Sequence, residues 1–236
     1  MKKIITNILP EKVMDMLRTI RGPNDLELPH SERVRKWGHR RYIGGTAPEN
    51  WYGIGKRQYH FLVSNGLESK HQFLDVACGG LRLGQYLIPM LDTGNYFGLE
   101  AEPALIEAGL KSELLFDVVS QKKPSFASNY DFDLSFCKAY DYAIAQSLFT
   151  HLILEDITKC FDAMSKIANK ESQFFFTFFE GDEAENKFDV SHAHRNWYYR
   201  YDTLASVAEK CGFECRYIGD WGHERNQMIA VATLKA

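Results

Sequence analysis

The sequence predicts an α/β protein built on a mostly parallel, doubly wound sheet of seven strands, preceded by an N-terminal helical extension. Three observations predict this class. Short apolar runs alternate with helical patterns along most of the chain, as they do in parallel sheets covered by helices on both faces. Two adjacent glycines follow the first apolar run, and only a polar loop separates the last two runs. That loop predicts a final antiparallel hairpin.

The first 65 residues are predicted to form the helical extension, and residues 66–236 the sheet domain. Apolar side chains at helical spacing predict one helix near the start of the chain (Val13, Met14, Leu17 and Ile20) and a second one before the sheet (Tyr59, Phe61, Leu62 and Val63). The segment GGTAPENWYGIG between them is rich in glycine and aromatic residues, which favours a loop. We expect this extension to act as a lid over a site.

The sheet domain is predicted to alternate strands and helices until its last two strands. We expect strands at 73–77, 96–99, near 126, 142–145, 173–179, 214–219 and 228–233. Helices are expected at about 81–90, 103–115, 155–170 and 203–211, and Pro89 predicts that the first of these is short or kinked. The carboxyl ends of the parallel strands then form one edge, where open α/β sheets bind their ligands.

The first strand and the turn after it carry the strongest functional signal. The glycines of Asp75-Val76-Ala77-Cys78-Gly79-Gly80 allow the backbone to turn sharply and to approach a ligand closely. A carboxylate, Glu100, ends the second strand about 20 residues later, the spacing at which an acidic side chain reaches a ribose diol. The segment therefore predicts a site for a nucleoside cofactor.

This acidic, glycine-rich turn resembles the first motif of the class I S-adenosylmethionine-dependent methyltransferases. The departure is Ala77, where the family has glycine, and we expect it to shift the ligand slightly rather than exclude it. The resemblance covers about residues 58–235 and implies a Rossmann-like domain that binds S-adenosyl-L-methionine. A nicotinamide dinucleotide is the rival cofactor, but its G-x-G-x-x-G fingerprint has Ala77, Gly79 and Arg82 at the glycine positions here.

Further cofactor contacts follow from the resemblance or from position in the chain. The glycine turn contributes Asp75, Ala77, Cys78 and Gly79, and the resemblance places Gln146 and Ser147 beside the cofactor after the fourth strand. Asp131 and Phe132 match the turn that holds the adenine, with Asp133 as the alternative carboxylate. Arg82 is interpreted as a partner for the carboxylate of the cofactor or a substrate anion, against the alternative of a surface arginine.

His151 is the candidate general base. It follows the strand at 142–145, at the edge where ligands bind, and histidine is the usual base for a hydroxyl at neutral pH. The alternative is a histidine that orients the next helix. Because no Asn/Asp-Pro-Pro-Tyr motif for amide methylation follows this strand, oxygen is the predicted acceptor atom.

The loop DVSHAHRNWYYRYD is predicted to shape the acceptor pocket. It contributes four candidate substrate-binding residues, which are His192, His194, Arg195 and Tyr198. A core flap of aromatic side chains is the alternative interpretation. We predict no metal, because the His-x-His pair has no acidic partner at a recognisable ligand spacing. The upstream residues Tyr52 and Gln58 are weaker candidates for closing over the methionine end of the cofactor.

Composition sets the remaining expectations. With 45% hydrophobic residues, no apolar run long enough to span a bilayer and no secretory cleavage site, we expect a cytoplasmic protein with reduced cysteines. The net charge of -3 favours no class of partner. The segment SERVRKWGHRRY predicts either a basic patch that binds an anion or a solvated helix face (Arg33, Arg35, Lys36, Arg40 and Arg41).

The predicted substrate is a small molecule or a glycan-like metabolite, with no nucleic acid and no stable membrane insertion expected. Two alternatives to a methyltransferase remain at this point. One is a nicotinamide-dependent reductase, and the other is a non-catalytic sensor or scaffold that binds S-adenosylmethionine.

Overall fold

A computed structural model describes residues 28–235. Its strands are β1 (Phe73–Val76), β2 (Tyr96–Leu99), β3 (Ser125–Ala127), β4 (Tyr140–Ala145), β5 (Ala168–Glu180), β6 (Tyr198–Tyr199), β7 (Phe213–Asp220) and β8 (Met228–Leu234). Its helices are α1 (His30–Trp37), α2 (His39–Tyr42), α3 (Ile54–Ser64), α4 (Gly84–Met90), α5 (Pro103–Ser112), α6 (Phe116–Lys122), α7 (Leu154–Ile167) and α8 (Tyr201–Lys210). A π-helical turn lies at Glu49–Gly53 and a 3₁₀ turn at Glu183–Glu185.

The strands form a sheet of order β3-β2-β1-β4-β5-β8-β7, with β6 paired to the end of β5. The pairs among β1 to β5 are parallel, and β8 is antiparallel to both of its neighbours. The predicted mostly parallel sheet and its antiparallel C-terminal hairpin are therefore confirmed. Because the chain winds outward from β1 in both directions, the loops after β1 and β4 diverge and open a crevice between them.

The core lies on both faces of the sheet, and β5 shows how the sequence builds it. Consecutive side chains of a strand point to opposite faces, so a strand buried on both sides is apolar throughout. Phe174 and Phe176 are fully buried on one face and pack against Phe161 of α7. Phe175 is fully buried on the other face, where its ring contacts that of Phe61 in α3. Each buried phenylalanine contributes about 1.5–3 kcal/mol relative to an exposed one.

Besides the two-residue strand β6, three local elements differ from the sequence prediction. The glycine-rich segment expected as a loop contains the π-helical turn Glu49–Gly53, which runs directly into α3. The helix α6 was not expected, because its first residues give no apolar inward stripe and Phe116 is 84% exposed. The helix α4 begins at Gly84 rather than near Leu81, whose φ of +63° is incompatible with a right-handed helix. It is short, as Pro89 predicts.

A buried carboxylate attaches the segment before the sheet to the rest of the domain. The side chain of Glu113 is 2% exposed and accepts hydrogen bonds from His39 Nε2 at 2.7 Å, from Arg40 Nη2 at 2.7 Å and from Trp51 Nε1 at 3.0 Å. The predicted basic patch is consequently divided, since Arg40 is ion-paired and Arg33 is buried. The boundary at residues 65/66 and the lid remain predictions, and the first predicted helix, with Val13, lies outside the described residues.

Candidate active site

A cavity of about 910 Å³ opens at the carboxyl ends of β1, β2 and β4. Its walls come from the loops that follow these strands and β3, from Trp37 and residues 41–44 of the N-terminal segment, and from residues 190–194 with Asn196. The volume lies in the range of sites that enclose a small molecule or a cofactor. The cavity therefore occupies the position where the strand order predicts ligand binding.

The turn after β1 forms the floor of the cavity and has a left-handed backbone. Ala77 has a φ of +63° and Gly79 a φ of +55°. Glycine adopts this conformation freely, whereas alanine adopts it at a cost. The neighbouring Gly80 lies where a side chain would not fit, because an added Cβ would approach the ring of His39 to 2.7 Å. Ala77, Cys78 and Gly79 all line the cavity.

Glu100 follows β2 and faces this turn, as the sequence predicts. Its Oε2 accepts a hydrogen bond from the backbone N–H of Gly79 at 2.9 Å, and its Oε1 accepts one from the N–H of Glu102 at 3.0 Å. Burial raises the pKa of Glu100, while these backbone hydrogen bonds act in the opposite direction. The carboxyl group lines the cavity beside the glycine turn, so it is placed to accept from a ligand diol.

Asp75 lies beneath the floor of the cavity and is 3% exposed. Its Oδ2 accepts a hydrogen bond from the hydroxyl of Tyr96 at 2.8 Å. Burial, opposed by the hydrogen bond from Tyr96 and assisted by the nearby Glu100, raises the pKa of Asp75 to about 7. Near neutral pH this carboxyl group is consequently divided between its protonated and ionised forms.

The two candidate adenine carboxylates differ in position. Asp131 and Phe132 line the cavity, whereas Asp133 does not. The Oδ1 of Asp133 accepts a hydrogen bond from the backbone N–H of Ser135 at 2.9 Å, and its backbone is bound to Asn129. The structure thus brings Asp131 to the ligand side of this turn and uses Asp133 to hold the turn together.

Gln146 and Ser147, directly after β4, are fixed by a polar network that includes residues of the loop before β8. Gln146 Nε2 donates to Gln227 Oε1 at 2.9 Å and lies 3.2 Å from His223 Nε2. The hydroxyl of Ser147 donates to the same oxygen of Gln227 at 3.0 Å, and its N–H donates to Thr177 Oγ1 at 2.7 Å. Burial lowers the pKa of His223 to about 4, so this ring is neutral, and its Nδ1 accepts a hydrogen bond from the backbone N–H of Arg225 at 3.2 Å.

Three buried polar atoms in the cavity wall have no hydrogen-bond partner within residues 28–235. They are Nε of Arg82, Oε1 of Gln58 and Oε1 of Gln146. Buried polar groups are normally satisfied, and each unsatisfied group costs about 1–3 kcal/mol. Burial lowers the pKa of Arg82 to about 10, which still leaves this guanidinium charged at neutral pH. A ligand with an anionic group and N–H donors would satisfy all three.

The weaker candidate Tyr52 does not share this position. It is 44% exposed and does not line the cavity, and its hydroxyl accepts a hydrogen bond from Arg40 at 2.9 Å. Of the two upstream candidates, the structure therefore brings only Gln58 to the site.

His151 lines the cavity with its ring held in one tautomer. Its Nδ1 lies 2.6 Å from the carbonyl oxygen of Arg195, which can only accept, so Nδ1 carries the proton and Nε2 keeps its lone pair. Burial lowers the pKa of His151, an effect that the nearby Arg225 increases and the Arg195 carbonyl opposes. The ring is therefore neutral at pH 7 and has the form that a general base requires.

The four candidate acceptor residues divide into two pairs. His192 and His194 line the cavity, and the His194 ring contacts those of Tyr42 at 5.0 Å and Trp37 at 6.2 Å. Arg195 and Tyr198 are not brought to the cavity. The guanidinium of Arg195 lies 3.7 Å above the ring of Phe188, and only its backbone carbonyl serves the site.

Tyr198 is kept away by strand pairing. It belongs to β6, which was not predicted, and its ring stacks on that of Phe179 at the end of β5. Sequence reasoning also missed Tyr42, His223, Arg225 and Gln227. The available signal was the topology, because the start of an antiparallel β8 lies at the same edge of the sheet as the carboxyl end of β5.

Residues 28–235 contain no group of three or more His, Cys, Asp or Glu side chains arranged to hold a metal ion. None of their helices combines the length and the apolar composition needed to cross a membrane.

Comparison with known proteins identifies the fold. No protein-family model and no curated protein matches the chain. Among solved structures, the chain is similar to magnesium protoporphyrin IX methyltransferase from Synechocystis PCC 6803 with bound SAM, with a TM-score of 0.60 and 15% identity over 88% of this chain and 98% of that one. It is also similar to a glycopeptide N-methyltransferase, with a TM-score of 0.60 and 13% identity over 77% of this chain and 90% of that one.

A third similar structure is a putative O-methyltransferase from Nostoc punctiforme PCC 73102, with a TM-score of 0.62 and 12% identity over 92% of this chain and 66% of that one. The chain therefore has the class I, Rossmann-like fold of S-adenosylmethionine-dependent methyltransferases. The neighbours differ in what they methylate, so the fold does not specify the acceptor.

Proposed function

We propose that this chain is an S-adenosyl-L-methionine-dependent methyltransferase that transfers the methyl group to a hydroxyl of a small-molecule or glycan-like acceptor. The observation that carries the proposal is the pairing of two features in one cavity. Glu100 faces the glycine turn, and unsatisfied groups of Arg82, Gln58 and Gln146 line the same wall. Together these features match an adenosine at one end and an amino acid at the other.

The adenosine end would be held by residues at the ends of β2 and β3. The carboxylate of Glu100 would accept hydrogen bonds from the two ribose hydroxyls, as acidic residues at this place in open α/β sheets do. Asp131 would accept from the adenine amino group, with Phe132 against the ring. Both of these residues line the cavity, whereas Asp133 is used within the turn.

The methionine end fits the unsatisfied atoms. The guanidinium of Arg82 would pair with the α-carboxylate of the cofactor, and the amide oxygens of Gln58 and Gln146 would accept from its α-ammonium. Since these atoms are buried and have no partner within residues 28–235, binding would remove a cost that the cofactor-free protein carries.

His151 would act on the acceptor. The bound cofactor supplies an electrophilic methyl group on a sulfonium. His151 Nε2 would take the proton from the acceptor hydroxyl while that oxygen forms its bond to the methyl carbon, and the electrons of the broken C–S bond return to sulfur. The hydrogen bond from Nδ1 to the Arg195 carbonyl keeps the lone pair of Nε2 available, because it fixes the tautomer.

Turnover tests the proposal against the non-catalytic alternative. The protein is incubated with methyl-labelled S-adenosylmethionine and a metabolite extract, with the His151→Ala variant in parallel. We expect labelled small-molecule products that the variant fails to form. Cofactor binding without any labelled product would identify a sensor or scaffold instead.

A nicotinamide-dependent reductase is the second candidate, and the turn after β1 counts against it. A dinucleotide needs glycines that let the backbone approach its pyrophosphate, and this chain has Ala77 and the large Arg82 at two of those positions. Tight binding of NAD, with none of S-adenosylmethionine, would favour the reductase.

A further inference from the structure

Arg225 brings a second guanidinium to the cavity from the loop between β7 and β8. Its Nη2 donates a hydrogen bond to the carbonyl of Gly44 at 2.5 Å, and its backbone N–H donates to His223 Nδ1 at 3.2 Å. Within residues 28–235, the bond to the Gly44 carbonyl is the one hydrogen bond that the Arg225 side chain forms. The remaining N–H donors of its planar group are therefore available to a ligand.

The guanidinium groups of Arg82 and Arg225 are held by neighbouring carbonyls. Arg82 Nη2 donates to the carbonyl of Ile43 at 3.0 Å, one residue before the carbonyl that Arg225 contacts. Among the described residues neither guanidinium forms an ion pair, and the carboxylate next to Arg225, that of Glu224, pairs with Arg57 instead. After burial, the charge of Arg225 is the next effect that lowers the pKa of the buried Arg82, and solvent screens this repulsion in part because Arg225 itself is exposed.

The proposed cofactor neutralises only one of the two groups. Its single carboxylate is matched by Arg82, and its sulfonium and ammonium add positive charge. Arg225 would then still lack an ion-pair partner among residues 28–235, and it lines the same cavity as His151. After burial and the Arg195 carbonyl, the charge of Arg225 also acts on the pKa of His151 and lowers it.

We propose that Arg225 binds an anionic group of the acceptor, a carboxylate or a phosphate, so that the enzyme methylates a hydroxyl of an anionic small molecule. A guanidinium binds either anion through two parallel hydrogen bonds, which would hold the hydroxyl in a fixed orientation toward His151. This inference rests on the proposed function, and it adds the charge class of the substrate.

Ring-bearing probes suit this end of the cavity because Trp37, Tyr42 and His194 lie together in its wall. The protein is saturated with S-adenosylhomocysteine and titrated at constant ionic strength with benzoate, phenyl phosphate and neutral benzyl alcohol. At least one anion should bind about tenfold more tightly than benzyl alcohol. The preferred anion distinguishes a carboxylate acceptor from a phosphate acceptor.

Two variants separate binding of the anion from anchoring of the loop. Arg225→Gln should abolish the preference for the anion and leave the affinity for S-adenosylhomocysteine unchanged. Arg57→Gln removes a different tether of the same loop, the ion pair with Glu224 at 3.2 Å, and should retain the preference. Equal binding of all three probes to the wild type, or a preference that survives in Arg225→Gln, would overturn the inference.

Failure of this inference is distinguishable from failure of the proposed function. The affinity of the wild type for S-adenosylhomocysteine is measured first, and absence of binding there counts against the methyltransferase. The anion titrations are then repeated on the cofactor-free protein, with Arg82→Gln as a further comparison. The contribution of Arg225 to anion binding is thus measured whether or not the protein binds S-adenosylhomocysteine.

Discussion

The two ends of the cavity are built in different ways. At the cofactor end, Asp75, the glycine turn and Glu100 lie at the ends of paired strands, so the register between β1 and β2 fixes their positions. At the acceptor end, Tyr42, His194 and Arg225 come from three separate loops or short helices that meet only in the folded protein. The comparison shows that the part of the cavity beside β1 and β2 depends on local backbone geometry, whereas the part lined by Tyr42, His194 and Arg225 depends on contacts between distant segments.

Among these substitutions, removal of the His151 side chain should have the largest effect. It should lower turnover and leave cofactor binding nearly unchanged. His151→Ala is expected to lower kcat by about 10²–10⁴-fold with little change in cofactor affinity, because the proposed base would act only on the acceptor. Steady-state kinetics and a cofactor titration measure both quantities. The exposed His60, outside the cavity, provides the control His60→Ala. If His151→Ala lowers the thermal stability so far that unfolding accounts for the lost activity, His151 has a structural role.

The ends should also differ in their response to pH. Burial raises the folded-state pKa of Asp75 to about 7 from an ordinary value near 4, so its contribution to stability is complete below about pH 4 and is lost as the pH rises to about 7. Over that interval the free energy of unfolding of the wild type should fall by roughly 4 kcal/mol because of Asp75, and Asp75→Asn should remove this pH dependence.

Asp156, at the acceptor end, should show the opposite sign. Burial acts to raise its pKa, but hydrogen bonds from Ser191 and Lys159 lower it below the ordinary value. Its contribution to stability is present above about pH 4 and is lost as the pH falls further. Urea unfolding of Asp75→Asn and Asp156→Asn across pH 3–8 measures both slopes. Slopes of the same sign for the two carboxylates would contradict the comparison.

Glu100 tests the cofactor end alone. Glu100→Gln keeps an acceptor oxygen for the N–H of Gly79 and removes the charge that strengthens hydrogen bonds to the ribose. We expect cofactor binding to weaken by about 1–3 kcal/mol in a calorimetric titration. Glu107→Gln, an exposed glutamate of α5 outside the cavity, is the matched control. Unchanged affinity in Glu100→Gln would remove this residue from the cofactor site.

Ala77 gives the smallest expected effect. Since its φ is +63°, replacement by glycine should relieve strain and stabilise the protein by about 1 kcal/mol. The same substitution at Ala108, inside α5, should destabilise by about 0.5–1 kcal/mol. Thermal unfolding distinguishes the two signs. Destabilisation in Ala77→Gly would show that the Cβ contributes more through packing than it costs in strain.

The same contrast explains how far the sequence could predict the molecule. The strands, their mostly parallel arrangement and the positions of Gly79 and Glu100 at the cavity follow from apolar runs and spacing, which are local properties of the chain. The strand β6 has two residues and α6 presents Phe116 to solvent, so neither produces a periodic pattern.

The acceptor end is harder to predict because its residues meet through tertiary contacts. His151 was predicted from its place after a strand, but the carbonyl of Arg195 that fixes its tautomer lies 44 residues away. Arg225 and Gln227 belong to a polar loop whose composition is ordinary. Only the pairing of β8 with β5 shows that this loop reaches the cavity. Arg195 and Tyr198 were assigned to the pocket because they share a loop with His192, and packing against Phe188 and Phe179 separates them from it.

Calorimetric titration of the wild-type protein with S-adenosylhomocysteine, followed by the same titration with NAD, tests the central claim most directly. The cavity floor at Gly79 and the carboxylate of Glu100 predict one S-adenosylhomocysteine bound per chain and no measurable binding of NAD. Binding of NAD in the absence of S-adenosylhomocysteine binding would contradict the account, as would binding of neither compound.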